Sequence, residues 1–116
     1  MSTQQTPASA RLEGPATAEH ASVVRRFVAS LGQIAGLPPD LTEDLKLAAS
    51  ELFGDFVASE GNTVVTATTT ANDLTVRFEG PGLIDGKTVG FAVVEALFHD
   101  VSVSDGVISL RIPLSA

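Results

Sequence analysis

The order of helix and strand signals predicts an α/β (α+β) fold, a two-layer sandwich with a mixed, mainly antiparallel sheet covered on one face by three helices. Two observations carry this expectation. Strand-like stretches come in pairs joined by turn residues, Thr63 to Thr70 with Leu74 to Glu79 and Val101 to Ser104 with Val107 to Leu114. Three other segments place apolar residues at three- and four-residue steps, and helices with one apolar face need a common sheet to cover.

Met1 to Ala8, MSTQQTPA, is polar, small and proline-containing and reads as a flexible arm. Residues 9–116 then form a single domain. Ser9 to Gly14 reads as a short first strand. Thr17 is placed to cap a helix in which Val23, Val24, Phe27, Val28, Leu31 and Ile34 fall at helical spacing. That helix ends near Gly36, ahead of Pro38 and Pro39, and its Arg25 and Arg26 read as solvated charges.

Leu41 to Glu60 is the most regular helix of the chain. Asp40 as N-cap, with Glu43 three residues on, matches a capping box worth about 1 kcal/mol. Leu45, Ala48, Ala49, Leu52, Phe53, Phe56 and Val57 form its apolar face, and Asp44, Ala48, Glu51 and Asp55 a neighbouring stripe. Glu51 and Asp55 lie one turn apart and repel unless a cation comes between them. A solvated acidic edge is the plain alternative.

Thr63 to Thr70 is rich in β-branched residues, which suit a pleated surface. After Ala71-Asn72-Asp73, Leu74, Val76 and Phe78 alternate with Thr75, Arg77 and Glu79, so the two strands are expected to form a hairpin. Gly80 to Gly86, GPGLIDG, is a glycine-rich loop, and Val89, Val93, Val94 and Leu97 mark a shorter helix ending by His99-Asp100. The last two strands flank Asp105-Gly106, a strong hairpin signal. A pocket is expected between the central helix and the glycine loop. Glycines ahead of a helix leave N–H groups that suit phosphate, although most such loops are only turns.

Composition limits what the chain does. With 116 residues, 44% hydrophobic and 18% charged, it is long enough to bury a core. A net charge of −7 argues against nucleic acid and against anionic membrane, and favours a basic partner. The chain has no Cys, which excludes disulfides and thiolate metal sites, and no Trp or Tyr on which bases could stack. No apolar run approaches a membrane span and no signal-like segment opens the chain, so the sequence reads as soluble and cytoplasmic.

LPPDLTEDLKLAASELFGDFV resembles the second helix of the anti-sigma-factor serine/threonine-protein kinases, small bacterial members of the GHKL histidine-kinase-like ATPases with the Bergerat fold. VRFEGPG is similar to that family's Asp-x-Gly-x-Gly box, and GKTVGFAVVEAL to its Gly-x-Gly-Leu-Gly-Leu box. The resemblance runs from about Ser9 to the end of the chain. It implies ATP and Mg²⁺ as cofactors, Glu51 as catalytic general base toward a serine hydroxyl, and Asp55 as metal ligand where the family has Asn. Gly80, Gly82, Gly86, Thr88, Gly90 and Lys87 are the implied cofactor-binding residues. The implied partners are a sigma factor or an anti-anti-sigma (STAS-type) protein, with a homodimer through the sheet side.

The chain departs from this pattern in three places. Phe78 stands where the family reads adenine with a carboxylate, and a phenyl ring accepts no hydrogen bond. It is also in phase with Leu74 and Val76, as a core ring would be. Thr88 replaces the middle glycine of the third box, unsuitable if the backbone must approach phosphate there but a good N-cap if the residue only starts a helix. Only Leu83, Ile84 and Asp85 separate the two glycine boxes, a short lid over a triphosphate. The sequence therefore favours an anti-sigma-factor-like regulator that switches protein partners and has a degenerate ATP site. An active kinase, or an adaptor domain pairing with an intact paralogue, stays open beside it.

Overall fold

The computed structural model describes residues 8–57, 60–81 and 88–114. The expected arm, from Met1 to Pro7, lies outside the described residues, as does the tip of the glycine loop from Gly82 to Lys87. Eight elements follow in order: β1 (Ala8–Pro15), α1 (Ala18–Ala35), α2 (Pro39–Val57), β2 (Asn62–Thr69), β3 (Asp73–Glu79), α3 (Val89–Leu97), β4 (Asp100–Ser104) and β5 (Val107–Pro113). Ala8, expected to end the arm, instead opens β1, where it is paired with Thr69. The elements build an α+β domain of one five-stranded sheet, ordered β1-β2-β3-β5-β4, and three helices.

Every neighbouring pair of strands is antiparallel, so the sheet is not mixed as the sequence suggested. The reason lies in the connections. Two helices in succession, α1 and α2, return the chain to the end of the sheet that β1 left, so β2 runs back beside it. β4 does run in the same direction as β3, but β5 turns back into the gap between them. Parallel strands therefore never touch. The β4–β5 turn uses Asp105 at φ 53° and Gly106 at φ 76°, the left-handed pair a two-residue hairpin requires.

The inner face of the sheet follows strict alternation, and its buried residues are apolar apart from Thr63, whose hydroxyl donates to the Gly14 carbonyl at 2.9 Å. Val65 and Ala67 of β2, Leu74, Val76 and Phe78 of β3, and Ile108, Leu110 and Ile112 of β5 are all buried. Val65 and Ile108 flank Phe78 across the two ladders. From above, α2 supplies Leu45, Ala48, Ala49, Leu52, Phe53 and Phe56, the expected apolar face apart from Val57, whose side chain lies outside the described residues, and it packs on α1 at one side and α3 at the other. No helix among the described residues is long and apolar enough to cross a membrane.

Three local expectations are corrected. The N-cap of α2 is not Asp40, because the helix starts at Pro39 and the Pro38 carbonyl accepts from Thr42 N at 3.1 Å. Proline is pre-set for the first helical position, and Glu43 pairs with Lys46 at 3.0 Å instead of closing a capping box. On α1, Val24 and Val28 enter the core, but Val23 and Ile34 remain exposed. On α3, Val89 is exposed, and Gly90, Phe91 and Val94 face inward. Thr17 does cap α1, accepting from His20 N at 3.1 Å, and Gly36 closes that helix in the left-handed region. Arg25 is half-buried and reaches Ser50 of α2 at 3.5 Å, whereas Arg26 is exposed.

Candidate functional site

The residues singled out in the sequence gather where the last turns of α2 meet the start of α3 and the end of β3. Glu51 and Asp55 are half-buried on the side of α2 that α3 covers. The two helices approach closely at Gly90. A β-carbon there would lie 2.5 Å from Asp55 Oδ2 and 2.6 Å from the Glu51 carbonyl oxygen. Gly90 is thus required by helix–helix packing, with the α3 backbone occupying the space beside both acidic residues. Asp55 Oδ2 is buried and has no hydrogen-bond partner.

Thr88 caps α3. Its backbone is extended (φ −82°, ψ 157°) and its hydroxyl accepts from Phe91 N at 3.1 Å, which satisfies one free donor of the first turn. The position needs no left-handed backbone, so threonine fits where the resembling box has glycine. Its role is to start the helix.

Gly80 follows β3 directly and has Phe56 over it. A β-carbon at residue 80 would come within 2.6 Å of the Phe56 ring. Phe56 in turn meets Phe53 edge-on, with centroids 5.6 Å apart, and Phe53 meets His20 at 5.8 Å. Phe78, two residues before Gly80, has 0% exposure. Glu79, on the opposite face of the strand, is exposed and does not stand in for a buried carboxylate. Gly82, Gly86 and Lys87 lie outside the described residues.

The structure therefore brings Glu51, Asp55, Thr88 and Gly90 together, with Gly80 beside the aromatic cluster. Among the described residues no three His, Asp or Glu side chains converge as a metal site would need. Two grooves lined by described residues lie in other parts of the fold. One of about 370 Å³ is lined by Leu12, Val23, Arg26, Phe27 and Ser30, and another of about 270 Å³ runs from Leu41 past Leu97–Asp100 to Pro113.

His20 is the residue that the sequence did not single out. Its ring overlaps the place a β-carbon on Gly14 would take, it touches Phe53, and its Nε2 is buried without a partner. No local pattern announces this, because the contact joins β1, α1 and α2. No protein-family model matches the chain, and no curated protein matches it either.

Proposed function

We propose that the chain is an anti-sigma-factor-like regulatory protein that works by protein–protein contact, on a frame of the Bergerat type whose nucleotide site is no longer built to hold ATP. The observation that carries this reading is Phe78, fully buried between Val65 and Ile108 at the strand position where the resembling kinases read adenine. A phenyl ring there offers the base no acceptor and no room.

Two further arrangements support it. Phe56 covers Gly80, so the backbone that a nucleotide would approach is already in contact with protein. Asp55, the counterpart of the magnesium ligand, has one carboxylate oxygen sealed against Gly90, and no second His, Asp or Glu pair completes an oxygen cage among the described residues. The described residues do not fit ATP and Mg²⁺. Glu51 then belongs to the α2–α3 contact through its carbonyl oxygen, which meets Gly90, and does not act as a base.

The partner class follows from the resemblance and the charge. A net −7 favours a basic docking face on a sigma factor or on an anti-anti-sigma protein of the STAS type. The test is calorimetry of the purified chain against each sigma factor and STAS-domain protein of its own genome, with and without Mg·ATP. Binding to one of them with an affinity that nucleotide leaves unchanged is the expected result. Binding that requires ATP, or phosphate transfer to a serine of the STAS protein, would restore the kinase reading.

A further inference from the structure

Helix α3 is apolar almost all the way round. From Val89 to Leu97 its only charged side chain is Glu95, and a helix of that composition is ordinarily enclosed on every side. Here Gly90, Phe91 and Val94 turn into the domain, whereas Val89 is 78% exposed, Ala92 and Ala96 are exposed and Val93 is half-buried. Val89, Val93 and Ala96 follow one another at steps of four and three, which keeps them within about 60° of arc on an ideal helix. They form an apolar ridge that no described element covers.

The neighbouring helix continues this face. Gly90 lies against Asp55 and the Glu51 carbonyl, and Leu97 shares a groove with Leu41, so α3 runs antiparallel to α2 and Val93 comes level with Leu47. Leu47 is itself 44% exposed. Glu51 and Gly54 follow it along the same side of α2, again at steps of four and three. A β-carbon on Gly54 would meet nothing within 4 Å. Glycine inside a helix costs stability relative to alanine, and nothing in the packing of this domain requires it here. An exposed Gly54 leaves room for close approach from outside.

We propose that this α2–α3 face docks an amphipathic helix of a partner protein, one with an apolar stripe and lysine or arginine beside it. The inference rests on the reading of the chain as a regulator that acts by contact, and it adds the surface used and the form of the partner's binding element. Charge selects the occupant. α2 and α3 carry six acidic side chains against Lys46 alone, a net −5 of the chain's −7, and Lys46 is already paired with Glu43 at 3.0 Å. A second copy of this acidic chain is repelled at such a face, and a basic helix is drawn to it.

Shape selects a helix. The ridge is straight and about two and a half turns long, and apolar residues at three- and four-residue steps on a docked helix match it. Glu51 stands inside the face and Glu95 at its border, each placed for a cation next to the partner's apolar stripe. At the Leu97 end the face runs into the groove of about 270 Å³ that Leu41 and Leu97 line, which takes an apolar side chain.

The test is titration of the full chain, isotope-labelled for NMR, with a synthetic amphipathic helical peptide of leucine and lysine, beside a scrambled peptide of the same composition. The helical peptide is expected to shift the amides of Leu47–Gly54 and Val89–Leu97, and the scrambled one to bind at least about tenfold more weakly. Val89→Glu should weaken binding at least about tenfold with the melting temperature unchanged, even though it adds a negative charge. Leu47→Gln should weaken it as well, and Gly54→Ala should weaken it while raising the melting temperature. Equal binding of the scrambled peptide, or tighter binding by Val89→Glu, would mean attraction by charge alone and overturn the proposal. So would shifts confined to another part of the domain, or self-association that Val89→Glu abolishes, which would make a second copy the occupant. Calorimetry with the sigma factors and STAS-domain proteins separates this inference from the reading beneath it. A protein of either kind that binds wild type and Val89→Glu equally well refutes this face and keeps the regulatory reading. Peptide docking here while none of those proteins binds keeps the face and refutes that reading.

Discussion

Replacing Phe78 by aspartate would put a carboxylate between Val65 and Ile108, at a position without solvent contact. An unpaired buried charge is among the most costly single changes, so Phe78→Asp is expected to lower stability by several kcal/mol, measured by urea unfolding, and to gain no affinity for ATP. A stable Phe78→Asp chain that binds ATP would show that the space beneath Gly80 still admits a base. Gly90 makes the same point from the other side of the site. A methyl group there meets Asp55 and the α2 backbone, and backbone yields less than a side-chain tip. Gly90→Ala should therefore cost about 1–3 kcal/mol and loosen α3. Amide hydrogen exchange along Val89–Leu97 would reveal that loosening, and unchanged protection would mean that α3 does not depend on this close approach.

Capping distinguishes the helices. Thr88 holds the first turn of α3 through a hydroxyl that accepts from Phe91 N, so Thr88→Ala should cost about 1 kcal/mol. Asp40 matches the sequence rule for a cap equally well, but it sits inside the first turn of α2. Asp40→Ala is therefore expected to stay within about 0.5 kcal/mol of wild type apart from a small loss of dipole interaction. Thermal melts of the two variants side by side decide this. A large loss from Asp40→Ala would mean that the helix starts two residues later in solution, at Leu41. Elements whose signals are local are legible in the sequence. The Asp105-Gly106 turn, the Thr17 and Gly36 caps and the alternation of β3 each involve a few consecutive residues.

For the domain as a whole, nucleotide provides the sharpest test. A ligand present at about a hundred times its dissociation constant adds roughly 2.7 kcal/mol to the native state, which raises the midpoint of a domain of this size by about 10 °C. Millimolar Mg·ATP or Mg·ADP is expected to leave the melting temperature where it is. A rise of that size would make Glu51 the next residue to replace. The candidate site is only partly legible in the sequence, and for a geometric reason. Glu51 and Asp55 show as a pair in sequence, yet what meets the backbone of Gly90 is the Asp55 carboxylate and the Glu51 carbonyl oxygen, brought there by the packing of α3 on α2. The contact of His20 with Phe53 likewise unites residues 33 positions apart in the chain, with no pattern to mark it.

Hydrophobic periodicity and turn chemistry are enough to specify which segments are helices and strands, their order, and the core faces of α2 and β3, because each depends on neighbours within a turn or a pleat. Three features depend on packing at long range. β5 enters between β3 and β4, which makes the sheet wholly antiparallel. One apolar face of α1 turns inward and the other is left at the sheet edge, since a helix lying over a flat sheet can bury only one side. Gly80 and Gly90, which in sequence read equally well as a phosphate cradle, are the points where Phe56 and Asp55 come closest to the backbone. A glycine records that something approaches it, and only the assembled domain tells whether that something is a ligand or the protein itself.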